Sequence, residues 1–253
     1  MTAQTRRVDT GASHWYKMDG DKVDGVTTVI GDAIPKAALV PWAAKVTTEY
    51  VLANWEMLAD MPDDERVPLI KGAPSRDRDR NARRGTEVHA LAVGLLHGEQ
   101  VDVPDELVGH VDSYVKFLGD WDVQPVVSEA VVGHRTHKWM GTLDAIGDFG
   151  DGLRRLYDIK TTRSGIFAET AIQVGTYRAA EFYLDPYGQE RPMIPVDACA
   201  AVWIRADGYD LYPLDTSHAY RTFRHAQRIA QWQNDLGRDA VGDALIAPEP
   251  EAA

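Results

Sequence analysis

The chain has 253 residues, 44% hydrophobic and 26% charged, with a formal net charge of −12 at pH 7. That is an ordinary globular composition for one large domain or two small ones, and its acidity argues against a protein that coats nucleic acid through a broadly basic surface. Cys199 is the only cysteine, which excludes an internal disulfide and any site built on about four cysteine ligands, iron–sulfur clusters included.

No apolar run approaches the roughly 20 residues of a bilayer span, so no membrane partner is expected. The first residues lack the apolar stretch of an export signal, and the cytoplasm is the expected compartment. Residues 25–60 read as a short extended start followed by helix from about Lys36 or Pro41, and residues 61–75 as a polar connection. The next stretch, 76–99, is a helix in which Val88, Leu91, Ala92 and Leu95 form one apolar stripe. Residues 104–122 are a second amphipathic helix with Pro104 in its first turn.

The period then changes. PVVSEAVVGH, MGTLDAIGDF and LRRLYDIKT are short β-rich runs separated by turn residues, which predicts an antiparallel three-strand meander over residues 125–161. Residues 167–184 return to helix, 198–215 are two strands around an Asp-Gly turn, 217–237 are a closing helix, and 247–253 are a frayed tail. The predicted class is a mixed α/β fold, with an N-terminal helical region over 1–82, a core over 83–245 and a tail over 246–253.

In an antiparallel hairpin, the position numbers of opposed residues add to a constant. A turn centred on Asp151 gives 302 and sets Asp144 against Asp158; the preceding turn gives 273 and sets Glu129 against Asp144. Side chains alternate with period 2, so Lys160 joins Asp158 on that face, and Val127, Val131, Ile146 and Leu156 share it. Like charges opposed across strands destabilise a sheet. Two readings are open: a solvated face with Lys160 as counter-charge, or a partly buried site that needs a cation. Hard oxygen ligands at this density suit Mg²⁺ or Mn²⁺.

These residues resemble a known family. Gly141-Thr142-Leu143-Asp144 followed by Asp158-Ile159-Lys160 looks like the PD-(D/E)xK nuclease signature. His89 on the upstream helix, with Gln173 and Tyr177 as Q-x-x-x-Y after the lysine strand, is similar to its RecB-like branch, and the likeness runs from about Arg83 to Tyr177. The wider layout resembles phage-encoded exonucleases without an iron–sulfur cluster. The resemblance implies a restriction-endonuclease-like core, a mixed sheet with the antiparallel meander flanked by helices, plus the N-terminal helical addition. It implies a metal held by His89, Asp144, Asp158 and the Ile159 carbonyl, with Glu129 as a further ligand or a supporting acid. Lys160 would activate water or stabilise charge on the phosphate, while Gln173 and Tyr177 orient the lysine strand or touch DNA.

Lys71, Arg76, Arg78, Arg80, Arg83 and Arg84 crowd just before His89, offset by Asp77 and Asp79, and read either as a phosphate-contacting patch or as a solvated helix face. Arg163 and Ser164, past the lysine strand, are candidates for the same contact. Trp15, Trp42, Trp55, Trp139 and Trp203 read as core, with Trp139 the exception that could stack on a base. The expected function is a Mg²⁺- or Mn²⁺-dependent DNA exonuclease that processes ends in phage recombination or replication. The alternatives are an endonuclease or nickase of the same superfamily and a non-catalytic DNA-binding module. The resemblance implies DNA as a partner, suggests a single-strand annealing protein as another, and leaves a homo-oligomer open.

Overall fold

The computed structural model describes residues 5–11, 13–96 and 102–245, without the side chains of residues 92, 93, 95 and 96. The side chains of the stripe positions Ala92 and Leu95 and the whole 246–253 tail therefore lie outside the description.

Three short strands open the chain: β1 (Arg6–Asp9), β2 (His14–Met18) and β3 (Asp21–Gly25), paired as an antiparallel meander. The 1–82 region is thus not purely helical. Asp19 and Gly20 make the β2–β3 turn with φ of 53° and 102°, the pair of left-handed residues that a tight hairpin needs. The expected extended start is instead helix α1 (Val26–Ala33). Its β-branched residues oppose helix, but Val26, Val29 and Ile30 sit at i, i+3 and i+4 and bury together against Phe223, Ala226 and Ala230; burial outweighs propensity.

Helices α2 (Leu39–Ala53), α3 (Trp55–Ala59), α4 (Asp63–Lys71) and α5 (Ala73–Leu96) follow. Helix α4 occupies the expected polar connection. Asp63, Asp64 and Glu65 in its first turn and Lys71 in its last complement the helix dipole. After a single 3₁₀ turn, α6 (Val108–Asp120) leads into β4 (Gln124–His134), β5 (Trp139–Asp148) and β6 (Arg154–Lys160). Helix α7 (Glu169–Arg178) is shorter than the sequence predicts, because Phe182 leaves it to pair with Gly133 in a further strand.

The chain closes with β7 (Phe182–Leu184), β8 (Glu190–Pro192), β9 (Ala198–Arg205), β10 (Gly208–Pro213) and α8 (Ala219–Asn234). Strand β6 pairs antiparallel with β5 and parallel with β9, and β10 adds to β9. On one side of this mixed sheet Tyr114 and Phe117 of α6 pack on Ala145, Tyr157, Ile159, Ala200 and Val202. On the other, Val174 and Tyr177 of α7 and Phe223 of α8 pack on Ile146, Leu156 and Cys199.

Both turn sums hold over the residues that pair, but neither Asp144 with Asp158 nor Glu129 with Asp144 is a pair of these ladders. Paired residues of β5 and β6 add to 302 from Ala145↔Tyr157 to Asp148↔Arg154, and those of β4 and β5 add to 273 from Val127↔Ile146 to His134↔Trp139. The face expected for Val131 does not hold: Val127, Ile146 and Leu156 share one core cluster, whereas Val131 packs with Tyr16, Met18, Met140 and Phe182.

One edge of β5 is split. Its first residues, Trp139 and Met140, pair in parallel with Asp24 and Gly25 of β3, whereas β6 pairs only with Ala145–Asp148. Between them residues 141–144 have no strand on that edge, which opens a fork in the sheet. Gly141 stands there because a Cβ would come within 2.4 Å of the Tyr177 ring.

Candidate metal centre

The fork leaves backbone groups of β6 without a strand partner. A continuing β5 ladder would have used Ile159. Instead its N–H donates to Asp144 Oδ2 at 2.7 Å, and its carbonyl oxygen lies 2.9 Å from His89 Nε2. The Asp144 side chain thus caps the strand that its own backbone abandons, which satisfies a buried donor.

His89 arrives on α5, one turn after Gly85, where a Cβ would already press to 3.2 Å on Thr161 Oγ1. Its Nδ1 lies 3.5 Å from Glu129 Oε1 and 3.7 Å from Asp144 Oδ1. His89, Glu129 and Asp144, from three different elements, each offer a ligand atom within 4.8 Å of the others.

Asp158 is placed differently. It is buried, its Oδ2 lies 2.7 Å from Lys160 Nζ, and its Oδ1 accepts from Gln173 Nε2 at 3.0 Å. Gln173 Oε1 in turn accepts from Lys160 at 3.4 Å, and Gln173 Nε2 reaches Tyr177 Oη at 3.5 Å. The Q-x-x-x-Y pair therefore bridges the Lys160–Asp158 ion pair. Glu129 stands in the three-residue group, and Asp158 stands beside it.

Electrostatics mark the same residues. Burial and then the neighbouring Asp158 carboxylate push Asp144 up to about 7, against the pull of His89 and Lys160. Burial disfavours charge on His89, but Asp144 and Glu129 outweigh it and raise the imidazole to about 9. Burial likewise works against a charged Lys160, yet Asp158 and Asp144 hold its ammonium above the usual lysine range. Lys160 is therefore a cation at neutral pH, suited to donating hydrogen bonds and not to accepting a proton. Burial pushes the Tyr177 hydroxyl well above its ordinary range.

The donor set fits a hard divalent cation. Two carboxylates, one imidazole and one carbonyl suit Mg²⁺ or Mn²⁺, with the imidazole favouring Mn²⁺. His89 turns Nδ1 to the two carboxylates and holds the Ile159 carbonyl with Nε2 at 2.9 Å, so Nδ1 is the ring nitrogen that faces Glu129 and Asp144. Asp144 is raised by burial first and by the Asp158 carboxylate second, and a bound cation would act against both.

The basic cluster does not form one patch beside the site. At about 100° per residue, Arg80 lies about 180° from His89 around α5, Arg76 and Arg84 about 140°, and Arg83 about 120°; Arg78 is within about 20°. Arg76 packs 4.8 Å above the Tyr50 ring and donates to the Leu69 carbonyl; Arg78 pairs with Asp79, Arg80 with Asp77, and Arg84 bonds Asn81. Arg83, Arg163 and Ser164 are exposed. Trp139 is fully buried against Phe223, Tyr220 and His134, whereas Trp55, expected in the core, is exposed.

Two neighbours of the site carry no sequence signal. Tyr16 of β2 meets Thr142 at 3.0 Å between hydroxyls, across 126 positions of chain. Glu169, at the start of α7, adds negative charge near Lys160 and lies 3.6 Å from Lys36.

No protein family matches the chain, and no curated protein does. A solved structure described as "Crystal structure of SSO0001" is 16% identical over 61% of this chain and 70% of that one, with a TM-score of 0.30, too low to bear on fold or function. Among the described residues, no helix is long and apolar enough to cross a membrane.

Proposed function

We propose that the chain is a Mg²⁺- or Mn²⁺-dependent deoxyribonuclease of the PD-(D/E)xK superfamily with a restriction-endonuclease-like core, an exonuclease that processes DNA ends in phage recombination or replication. The observation that carries the reading is the convergence of His89, Glu129, Asp144 and the Ile159 carbonyl beside a buried Asp158–Lys160–Gln173 network. The choice of exonuclease over endonuclease, and a single-strand annealing protein as partner, rest on the sequence resemblance alone.

His89, Glu129, Asp144 and the Ile159 carbonyl would hold the ion, with Asp158 at its edge. When bound, a divalent cation supplies positive charge that offsets the phosphate's and acidifies nearby water. The chain's residues do the rest. Lys160 Nζ lies 2.7 Å from Asp158 Oδ2 as an ion pair and donates to Gln173, and a remaining donor of the ammonium would serve a phosphate oxygen or the attacking water. Asp158 and Gln173 fix where that donor points. Asp144, tied to the Ile159 N–H, holds β6 at the distance from β5 that keeps the carbonyl facing the site.

The test pairs linear with covalently closed circular DNA of one sequence, with Mg²⁺ or Mn²⁺, beside a Lys160→Ala control. Loss of the linear form alone, abolished by the substitution, supports the exonuclease. Cutting of both forms moves the assignment to an endonuclease. A protein that shifts DNA in a gel but cuts neither form is a binding module.

A further inference from the structure

Among the described residues, Glu129 is the one non-glycine inside a strand with a left-handed backbone, at φ 47°. The other three, Asp19, Asp122 and Lys138, lie in turns. That conformation brings the Cβ against the following carbonyl and costs free energy in any residue but glycine. Glutamate has none of the local hydrogen bonding by which asparagine and aspartate tolerate it. No inserted residue explains it, since Ser128↔Ala145 and Ala130↔Leu143 keep the same register on either side.

The rotation exchanges the faces of β4. In a regular strand, residues 127, 129 and 131 would share one face. Here Val127 joins the core cluster that holds Ala130 and Val132, of opposite parity, while Val131 turns to a different cluster. A regular backbone would send Glu129 after Val127 toward Ile146 and Leu156. The left-handed residue leaves it partly exposed instead, 3.5 Å from His89.

We infer that the left-handed backbone at Glu129 is a positioning device, which brings a carboxylate to His89 and Asp144 at a cost in the stability of the fold. The inference rests on the metal reading above but does not need the nuclease.

Glu129→Gly, Glu129→Ala and Glu129→Gln are compared in the full chain by thermal unfolding in EDTA and by Mn²⁺ titration calorimetry. In an ordinary strand glycine is worse than alanine. Here the glycine variant should melt above the alanine variant by a few degrees, because both lack the carboxylate and only alanine keeps the strain. The glutamine variant, which keeps the shape without the charge, should bind Mn²⁺ at least tenfold more weakly than the wild type.

An alanine variant that melts at or above the glycine variant overturns the strain. A glutamine variant that binds Mn²⁺ like the wild type overturns its purpose. Wild-type protein that binds no Mn²⁺ ends both this inference and the metal reading. If Mn²⁺ binds as described but DNA is not cut, the nuclease fails and the positioning role stands.

Discussion

The two ends of the β5–β6 hairpin carry the same kinds of residue and behave in opposite ways. At the turn end, Asp148 accepts two hydrogen bonds from Arg154 at 2.7 and 2.9 Å, and Asp151 two from Arg155 at 2.7 and 2.6 Å. Those bonds hold Asp148 below its usual range and Asp151 at about 2. Four residues along, roughly 13 Å away, Asp144 is pushed up to about 7 by burial and by Asp158. One carboxylate per guanidinium in water is a satisfied surface. Three carboxylates around one ammonium and one imidazole, partly out of water, form a site that gains from an added cation.

The sharpest way to break this contrast is to neutralise one carboxylate at each end. Asp144→Asn should weaken Mn²⁺ binding by more than the roughly 100-fold that outer-shell partners cost. Asp148→Asn should leave it unchanged, and calorimetry reads both. On the nuclease reading, Lys160→Ala should slow cleavage by roughly 10²–10³-fold, the cost of removing one donor to developing charge, measured in single turnover at saturating metal.

Stability gives the next effect in size. An ion at about 100 times its Kd adds about 2.7 kcal/mol to the folded state, which for a chain of this length raises Tm by roughly 5–10 °C. The rise should vanish in Asp144→Asn and persist in Asp148→Asn. A rise of equal size in both variants would place the ion elsewhere.

Proton linkage then gives a signed test. Asp144, raised from 3.8 to about 7, and His89, raised from 6.5 to about 9, each bind protons more tightly folded than unfolded. Their contributions are complete below the unfolded values and are lost as pH rises through the folded ones. From these two groups, metal-free protein should lose Tm between about pH 4 and 9. A cation needs both groups deprotonated, so Mn²⁺ affinity should rise from pH 6 to 9. A flat titration would contradict the cluster, and Asp144→Asn should flatten the lower part of the metal-free curve.

How much of this was legible in the sequence differs along the hairpin. The registers were, because tight turns fix them and a side-chain period of 2 does the rest. Asp19-Gly20 carried a hairpin signal of the same kind that the N-terminal reading passed over. The basic cluster looked continuous in sequence, yet a 3.6-residue period scatters it around α5. The fork was not legible: β3 reaches β5 across more than a hundred residues, and β6 parts from β5 beyond Ala145, before Ile159. Nor was φ at Glu129. The tertiary environment imposes that dihedral, which is why sequence placed Glu129 on the right strand and Val131 on the wrong face.

The smallest expected effect lies at the turn end. Asp151 is exposed, and its two bonds come from Arg155, whose guanidinium also stacks 4.7 Å from the Phe149 ring. The aromatic contact survives loss of the carboxylate, so Asp151→Asn should lower Tm by no more than about 2 °C, the scale of an exposed pair. The sign with pH is the reverse of that at Asp144. A carboxylate held at about 2 contributes stability that is present above its unfolded value of 3.8 and lost as pH falls through about 2. Wild type and Asp151→Asn should therefore converge on acidification, and should also converge near neutrality in 1 M salt, where the screening length is about 3 Å. The difference between wild type and Asp144→Asn in Mn²⁺ should survive the same salt, because ligation inside the fork does not depend on long-range attraction. If salt erased that difference as well, the open end would be one more solvated ion pair, and the contrast between the two ends would disappear.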